Sequence, residues 1–322
     1  MTPMPYRNLG HSGLKLSLLS FGSWVTLGHQ VNKETAKACL YAALDHGVNF
    51  IDSAEAYAHG AAEILIGELI QGLTRSDLVL SSKVFWGGAG PNDTGLSRKH
   101  VFEACHAALR RLKVDYLDLY FCHRPDPDTP LFETIMTMDM LVRQGKVLYW
   151  GTSEWPPSLI EQCFEICRQH RLIPPSMEQP EYNFFARSNL EQGLQPLCQK
   201  YGLGTTTWSP LASGILTGKY NHGIPEDSRF AVEGYEWLRD DITPSKLAQV
   251  AALKSLAQEL GCSTAQLALA WCTLHPSVST VITGASRPEQ VHENMAAIDV
   301  IPKLSPEIQN RIEHIFLVAK SR

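Results

Sequence analysis

A chain of 322 residues, 44% apolar and 19% charged, can bury a large core, which excludes wholesale disorder. Acidic residues outnumber basic ones by 33 to 28, and the resulting formal charge of -5 argues against a nucleic-acid or anionic-membrane binder. No apolar run is long enough to cross a bilayer, and Met1 to Gly10 lacks the layout of a signal peptide.

In chain order, a hairpin is expected first, Tyr6 to Leu9 and Leu14 to Leu16, turning at His11-Ser12-Gly13. Alternation of β-branched runs with amphipathic segments then predicts a strand at Leu18 to Gly22 and a helix at Lys33 to His46. Strand and helix pairs follow at Asn49 to Ser53 with Ala61 to Ile70, Leu78 to Val84 with Arg98 to Leu112, and Tyr116 to His123 with Leu131 to Gln144. The next are Val147 to Thr152 with Ser158 to His170, and Ser176 to Gln179 with Asn189 to Tyr201. Strand Gly204 to Ser209 leads into a Gly-rich loop and an irregular stretch to about Ile242. Helices are expected at Ser245 to Leu260 and Thr264 to Leu274, then a strand at Thr280 to Thr283, and helices at Pro288 to Ala297 and Pro306 to Val318. Gly202 and Gly261 sit where helix C-caps belong.

Eight strands, each followed by a helix, is the pattern of a closed parallel barrel, because parallel strands need long crossovers and cover on both faces. The fold class is therefore α/β, a single (β/α)8 TIM barrel over residues 1–322 with an N-terminal β-hairpin and a C-terminal extra helix. A doubly wound sheet is the rival, but no G-x-G-x-x-G follows a strand and no Pro/Gly/Ser-rich linker divides the chain. The cysteines Cys39, Cys105, Cys122, Cys163, Cys167, Cys198, Cys262 and Cys272 form no CxxC pair. They read as reduced thiols of a cytoplasmic protein, with no metal site among them.

Barrel chemistry sits at the C-terminal rim, so polar residues at strand ends are the candidates. Asp52, Lys83 and His123 end three successive strands, which lie roughly 5 Å apart, and Tyr57 follows in the loop after Asp52. A buried lysine must pair with a carboxylate, and an ammonium beside a phenol stabilises the phenolate, drawing it down from its usual pKa of about 10. That apparatus suits proton delivery to a carbonyl oxygen. Schiff-base chemistry at Lys83 is the alternative, opposed by the same pairing, since a nucleophilic lysine must be neutral.

The loop from Ser209 through Leu211, Ser213 and Gly214 to Lys219 has the glycines, hydroxyls and cation of a pyrophosphate-binding segment. After the last strand, Gly284 to Gln290 opens a helix whose N-terminus Ser286 is expected to cap. Trp208 is either rim packing or a stacking platform, Gln179 is placed to bind a carboxamide, and Arg229 is either solvated or a flap residue. Trp86 and Phe184 are candidate aromatic walls of the substrate pocket.

Together these residues resemble the aldo-keto reductase family, along nearly the whole chain. The matches are Asp52 to Tyr57 with Gly60 and Glu63, Ser82-Lys83, Cys122 to Pro125, Gly151 to Ser153, Glu178-Gln179, Trp208 to Gly214, and Gly284 to Ser286 through Glu293-Asn294. The resemblance implies an NADPH-dependent carbonyl reductase: Tyr57 the proton donor, Lys83 and Asp52 its tuners, His123 orienting the carbonyl of a small-molecule substrate. It also implies that Trp208 stacks on the nicotinamide, that Ser153 and Gln179 hold its carboxamide, and that Ser286, Arg287, Gln290 and Asn294 face the 2′-phosphate.

Gly22, Trp24, Thr26 and Gln30, with Arg124-Pro125-Asp126, bring the chain closest to the branch that holds the beta subunits of voltage-gated potassium channels and their plant and bacterial relatives. That branch implies homo-oligomers and leaves a slow, redox-sensing channel subunit as the alternative function. His123 stands where animal channel subunits usually have Asn, which favours an enzyme. Glu154 stands where relatives carry Arg or Asn, and as a carboxylate it is available to accept from the nicotinamide amide.

Overall fold

The computed structural model describes residues 2–24, 26–28, 30–221, 223–225 and 236–317. A two-stranded antiparallel hairpin, β1 (Tyr6–Asn8) and β2 (Lys15–Ser17), precedes the barrel. The barrel is closed and wholly parallel. Its strands are β3 (Leu19–Gly22), β4 (Phe50–Asp52), β5 (Val79–Val84), β6 (Leu117–Cys122), β7 (Val147–Ser153), β8 (Met177–Gln179), β9 (Gly204–Thr207) and β10 (Val278–Thr283), with β10 pairing back onto β3.

Helices fill the crossovers: α1 (Lys33–Asp45), α2 (Ala61–Leu69), α3 (Arg98–Leu112), α4 (Leu131–Arg143), α5 (Pro157–His170) and α6 (Gln195–Tyr201). After β9 come α7 (Pro244–Glu259) and α8 (Thr264–Cys272), and after β10 come α9 (Pro288–Met295) and α10 (Pro306–Leu317). The extra terminal helix α10 packs on α7.

Local chemistry sets the helix ends. Asn32, Ser97 and Thr243 accept backbone N–H bonds at the starts of α1, α3 and α7, and Ser263 with Gln266 forms a capping box on α8. Gly202 closes α6 in a left-handed conformation, as expected, and Gly261 does so one residue past the cap of α7. One expected helix is broken: Asn189 to Tyr201 begins with a π-helical turn, Asn189–Leu194, before α6. Gly193 and then Pro196 fall in that segment, and Pro196 offers no N–H for the i to i−4 ladder.

The barrel interior packs Phe50, Val79, Leu119, Phe121, Met177 and Ile282 against Leu9 and Leu16 of the hairpin. The hairpin therefore plugs the N-terminal mouth. Its turn lies so close to the sheet that a Cβ on Gly10, whose φ is +54°, would come within 2.1 Å of the Gly202 carbonyl oxygen. Only glycine fits there. With one mouth sealed by apolar packing, the C-terminal mouth is left for chemistry. A second, larger apolar layer lies between the strands and the helices and takes up seven of the eight free cysteines, Cys262 being half-buried.

Among the described residues no helix is long and apolar enough to cross a membrane. No group of three or more metal-ligating side chains occurs among them either.

Candidate active site

Strand alternation decides which side chains of β5 enter the barrel. Ser82 turns outward, donating to Glu63 of α2 at 2.6 Å, and Glu63 is in turn held by Arg111 of α3 at 2.6 Å. Ser81 and Lys83 turn inward toward Asp52, the last residue of β4: Ser81 Oγ donates to Asp52 Oδ1 at 2.9 Å and Lys83 Nζ to Asp52 Oδ2 at 2.6 Å. Tyr57 follows β4 in a short helical turn. Ala58 and His59 then adopt left-handed conformations, φ 49° and 53°, which fold the chain back immediately after the phenol.

Lys83 has no exposed surface. It donates to Asp52, to the Ser53 carbonyl at 2.8 Å and to Tyr57 Oη at 2.9 Å. Three acceptors match the three N–H groups of an ammonium, which leaves no lone pair for Schiff-base attack. Burial pulls the Lys83 ammonium below the ordinary lysine range, and Asp52 opposes that pull. His123, just past β6, packs edge-on to Tyr57 with ring centres 5.9 Å apart. Burial, then the charges of Lys83 and Arg124, push its pKa well below the usual histidine value, so the ring is neutral at physiological pH. Its Nδ1 is buried without a hydrogen-bond partner among the described residues.

These groups border a cavity of about 740 Å³, large enough for a dinucleotide portion and a small substrate. It brings together Gly22, Trp24, Gln30, Asp52, Tyr57, His123, Ser153, Gln179, Trp208, Ser209, Leu211, Ser213, Gly214, Lys219, Gly284, Ser286, Gln290, Glu293 and Asn294. Lys83 lies behind this wall, reaching it through Asp52 and Tyr57. Arg229, the expected flap or solvated residue, lies outside the described residues.

The loop after β9 is strongly bent: Ser209, Ala212, Ser213, Gly214 and Gly218 all have positive φ. Those turns return the N–H groups of Ala212, Ser213, Gly214, Leu216 and Gly218 to acceptors within the loop, so the loop meets the cavity with Ser209, Ser213 and Lys219 rather than with those backbone donors. The start of α9 differs from expectation. Its N-cap is Arg287, with no side-chain cap, and Ser286 instead donates through Oγ to Gln290 Oε1 at 3.2 Å. Pro288 brings no N–H to the first turn of α9 and the Gln290 N–H donates to the Arg287 carbonyl at 3.1 Å, so what this helix start holds beside the cavity is the positive end of its dipole and Arg287.

Gln179 donates through Nε2 to Asp52 Oδ1 at 3.1 Å and to Thr206 Oγ1 at 3.2 Å, so its carbonyl oxygen is the end left for an incoming amide. Ser153 Oγ donates to the Gln179 backbone carbonyl at 2.9 Å, which leaves the side-chain oxygen untouched. Trp208 meets Trp24 edge-to-face at 5.8 Å.

Two expectations about the pocket are corrected. Glu154 is not available to a ligand amide: its Oε1 accepts from Trp208 Nε1 at 2.8 Å and from the Glu181 backbone N at 2.5 Å, and it does not line the cavity. Its positive φ of 56° turns the carboxylate toward the indole, where it orients Trp208. Phe184 is 3% exposed, stacked on Phe316 with Trp271 tilted against it, so it belongs to the core. Trp86, by contrast, does line the cavity, with its ring 5.1 Å from that of His123. Arg124 also lines it and was not among the expected contacts; its position one residue past a strand-end histidine was the available signal.

A family model described as the aldo/keto reductase family matches residues 18–316. Two curated relatives, each described as a probable voltage-gated potassium channel subunit beta, come from Arabidopsis thaliana and Oryza sativa subsp. japonica. Each is 52% identical to this chain over 316 residues, spanning 97% of it and 96% of the relative. The closed parallel barrel, the Tyr57–Lys83–Asp52 cluster at its open mouth and the match over residues 18–316 lead to one conclusion: the chain belongs to the aldo/keto reductase family of oxidoreductases.

Proposed function

We propose that residues 1–322 act as one barrel domain that reduces aldehydes and ketones with NADPH, with Tyr57 as proton donor. The observation that carries this reading is the Lys83 ammonium, hydrogen-bonded at once to Asp52 and to the Tyr57 hydroxyl, two residues that line a dinucleotide-sized cavity in front of it. The cavity's donors fit such a cofactor. Lys219, Ser209 and Ser213 of the bent loop and the positive end of α9 suit the phosphates. Arg287, with Gln290 and Asn294, suits a 2′-phosphate. Trp208 suits the nicotinamide face, and Ser153 with the Gln179 carbonyl oxygen suits its carboxamide.

When bound, reduced nicotinamide supplies a hydride to the carbonyl carbon. Tyr57 passes its proton to the carbonyl oxygen as that hydride arrives, so carbon and oxygen each gain one hydrogen and the product is an alcohol. Lys83 stabilises the phenolate left behind, and Asp52 keeps Lys83 charged and aimed. His123, being neutral, offers the oxygen a ring N–H without competing as a charged acid.

The test is to titrate purified protein with NADPH and NADH, then follow cofactor oxidation against aldehydes, ketones and quinones. Tighter binding of NADPH with turnover of at least one carbonyl class supports the reading. Failure to bind either cofactor contradicts it.

A second reading has its own support in the relatives' description as probable channel beta subunits. On that reading the chain holds NADP(H), turns over slowly and reports redox state to a membrane channel. Co-purification with a channel, together with negligible turnover across the panel, would favour it.

A further inference from the structure

Among the described residues three cationic side chains line the cavity. Lys219 lies against the bent loop at Gly214, and Arg287 heads α9, so both sit at the phosphate-binding end. Arg124 does not. It follows His123 directly; its Nη1 donates to the His123 carbonyl at 2.6 Å and lies 3.4 Å from Ser153 Oγ, and its guanidinium stands 5.4 Å over the Trp86 ring.

Those contacts fix the guanidinium at the carbonyl end of the cavity, yet no carboxylate among the described residues pairs with it. Nε and Nη2 have no acceptor among the described residues. A planar fork with free N–H groups is the geometry that takes a carboxylate in bidentate fashion. The charge is also felt by the reacting groups, since it disfavours protonation of both Lys83 and His123. An anion from the substrate would offset that effect while it is bound.

We propose that Arg124 selects carbonyl substrates that carry a carboxylate, with Trp86 as the flat apolar wall for the rest of the molecule. This assignment rests on the carbonyl-reductase reading. The two fail in different ways.

The experiment compares 4-carboxybenzaldehyde with 4-methylbenzaldehyde, close in shape but different in charge, on NADPH-loaded wild type, Arg124→Met and Arg124→Lys. Wild type should prefer the acid. Arg124→Met should cut that preference by about 10- to 100-fold, chiefly through KM for the acid, and Arg124→Lys should restore part of it. An equal fall on both substrates, or an unmoved ratio, overturns the proposal.

If wild type reduces neither aldehyde, carbonyl reduction of this class fails, and calorimetry on the NADP-loaded protein decides the role of Arg124 alone. Binding of 4-carboxybenzyl alcohol in preference to 4-methylbenzyl alcohol, lost in Arg124→Met, supports the proposal. Indifference between the two alcohols overturns it.

Discussion

Replacing Lys83 with Met keeps the length of the side chain and removes its charge. Three hydrogen bonds vanish, and Asp52, 3% exposed, keeps only neutral donors, Ser81 Oγ at 2.9 Å and Gln179 Nε2 at 3.1 Å. Breaking one side of a buried ion pair costs about 3–5 kcal/mol, because the remaining charge is left uncompensated. For a barrel of this size that lowers Tm by about 4–7 °C. Activity should fall by about 10²- to 10⁴-fold, the usual worth of positioned acid–base chemistry.

Calorimetric melting gives the first number, and single-turnover oxidation of bound NADPH by 4-nitrobenzaldehyde gives the second. A paired variant, Asp52→Asn with Lys83→Met, separates the two effects. It should recover most of the lost Tm, since no buried charge is stranded, while activity stays low. A single variant that melts within about 1 °C of wild type and turns over within about threefold of it would show that the ammonium neither balances Asp52 nor serves Tyr57.

Glu178 is buried beneath the rim, where it accepts from Thr152 Oγ1 and from the Trp155 backbone N at 3.2 Å; burial pushes its pKa up to about 8. Between its unfolded value of 4.5 and about 8, the native state keeps a proton that the unfolded chain has lost. Stability therefore drains away as pH rises through that window, and Glu178→Gln should gain Tm relative to wild type at pH 8 but not at pH 5, as read by melting curves. Glu154→Ala should free the Trp208 indole and weaken NADPH binding by about tenfold, measured by intrinsic fluorescence; unchanged affinity would mean that the carboxylate does not set the ring. Arg287→Ala should raise the Kd for NADPH by about tenfold and leave that for NADH nearly unmoved, because the 2′-phosphate is what distinguishes the two.

Much of this site was legible in the sequence because a parallel barrel sends its strand ends to one rim. Asp52, Lys83 and His123 could be placed together from strand order alone, and Tyr57 from its distance past Asp52. The Gly-rich loop also declared itself by composition. What escaped was set by contacts between distant segments. Glu154 reads as a rim carboxylate, but its partner Trp208 is supplied by the next strand but one, β9, and that hydrogen bond turns it away from the ligand. Phe184 looks like a pocket wall until Phe316, from the last helix, stacks on it at 4.3 Å. Ser286 has the chemistry of a cap, yet with α9 starting at Pro288 the N-cap position falls to Arg287, and Gln290 takes the serine hydroxyl instead.

In the proposed reaction the Tyr57 hydroxyl, held 2.9 Å from the Lys83 ammonium, delivers the proton. Tyr57→Phe deletes one oxygen and little else, so single-turnover oxidation of prebound NADPH by 4-nitrobenzaldehyde tests it directly. That oxidation should slow by about 10²-fold or more, with NADPH affinity nearly unchanged. Oxidation at the wild-type rate would contradict it.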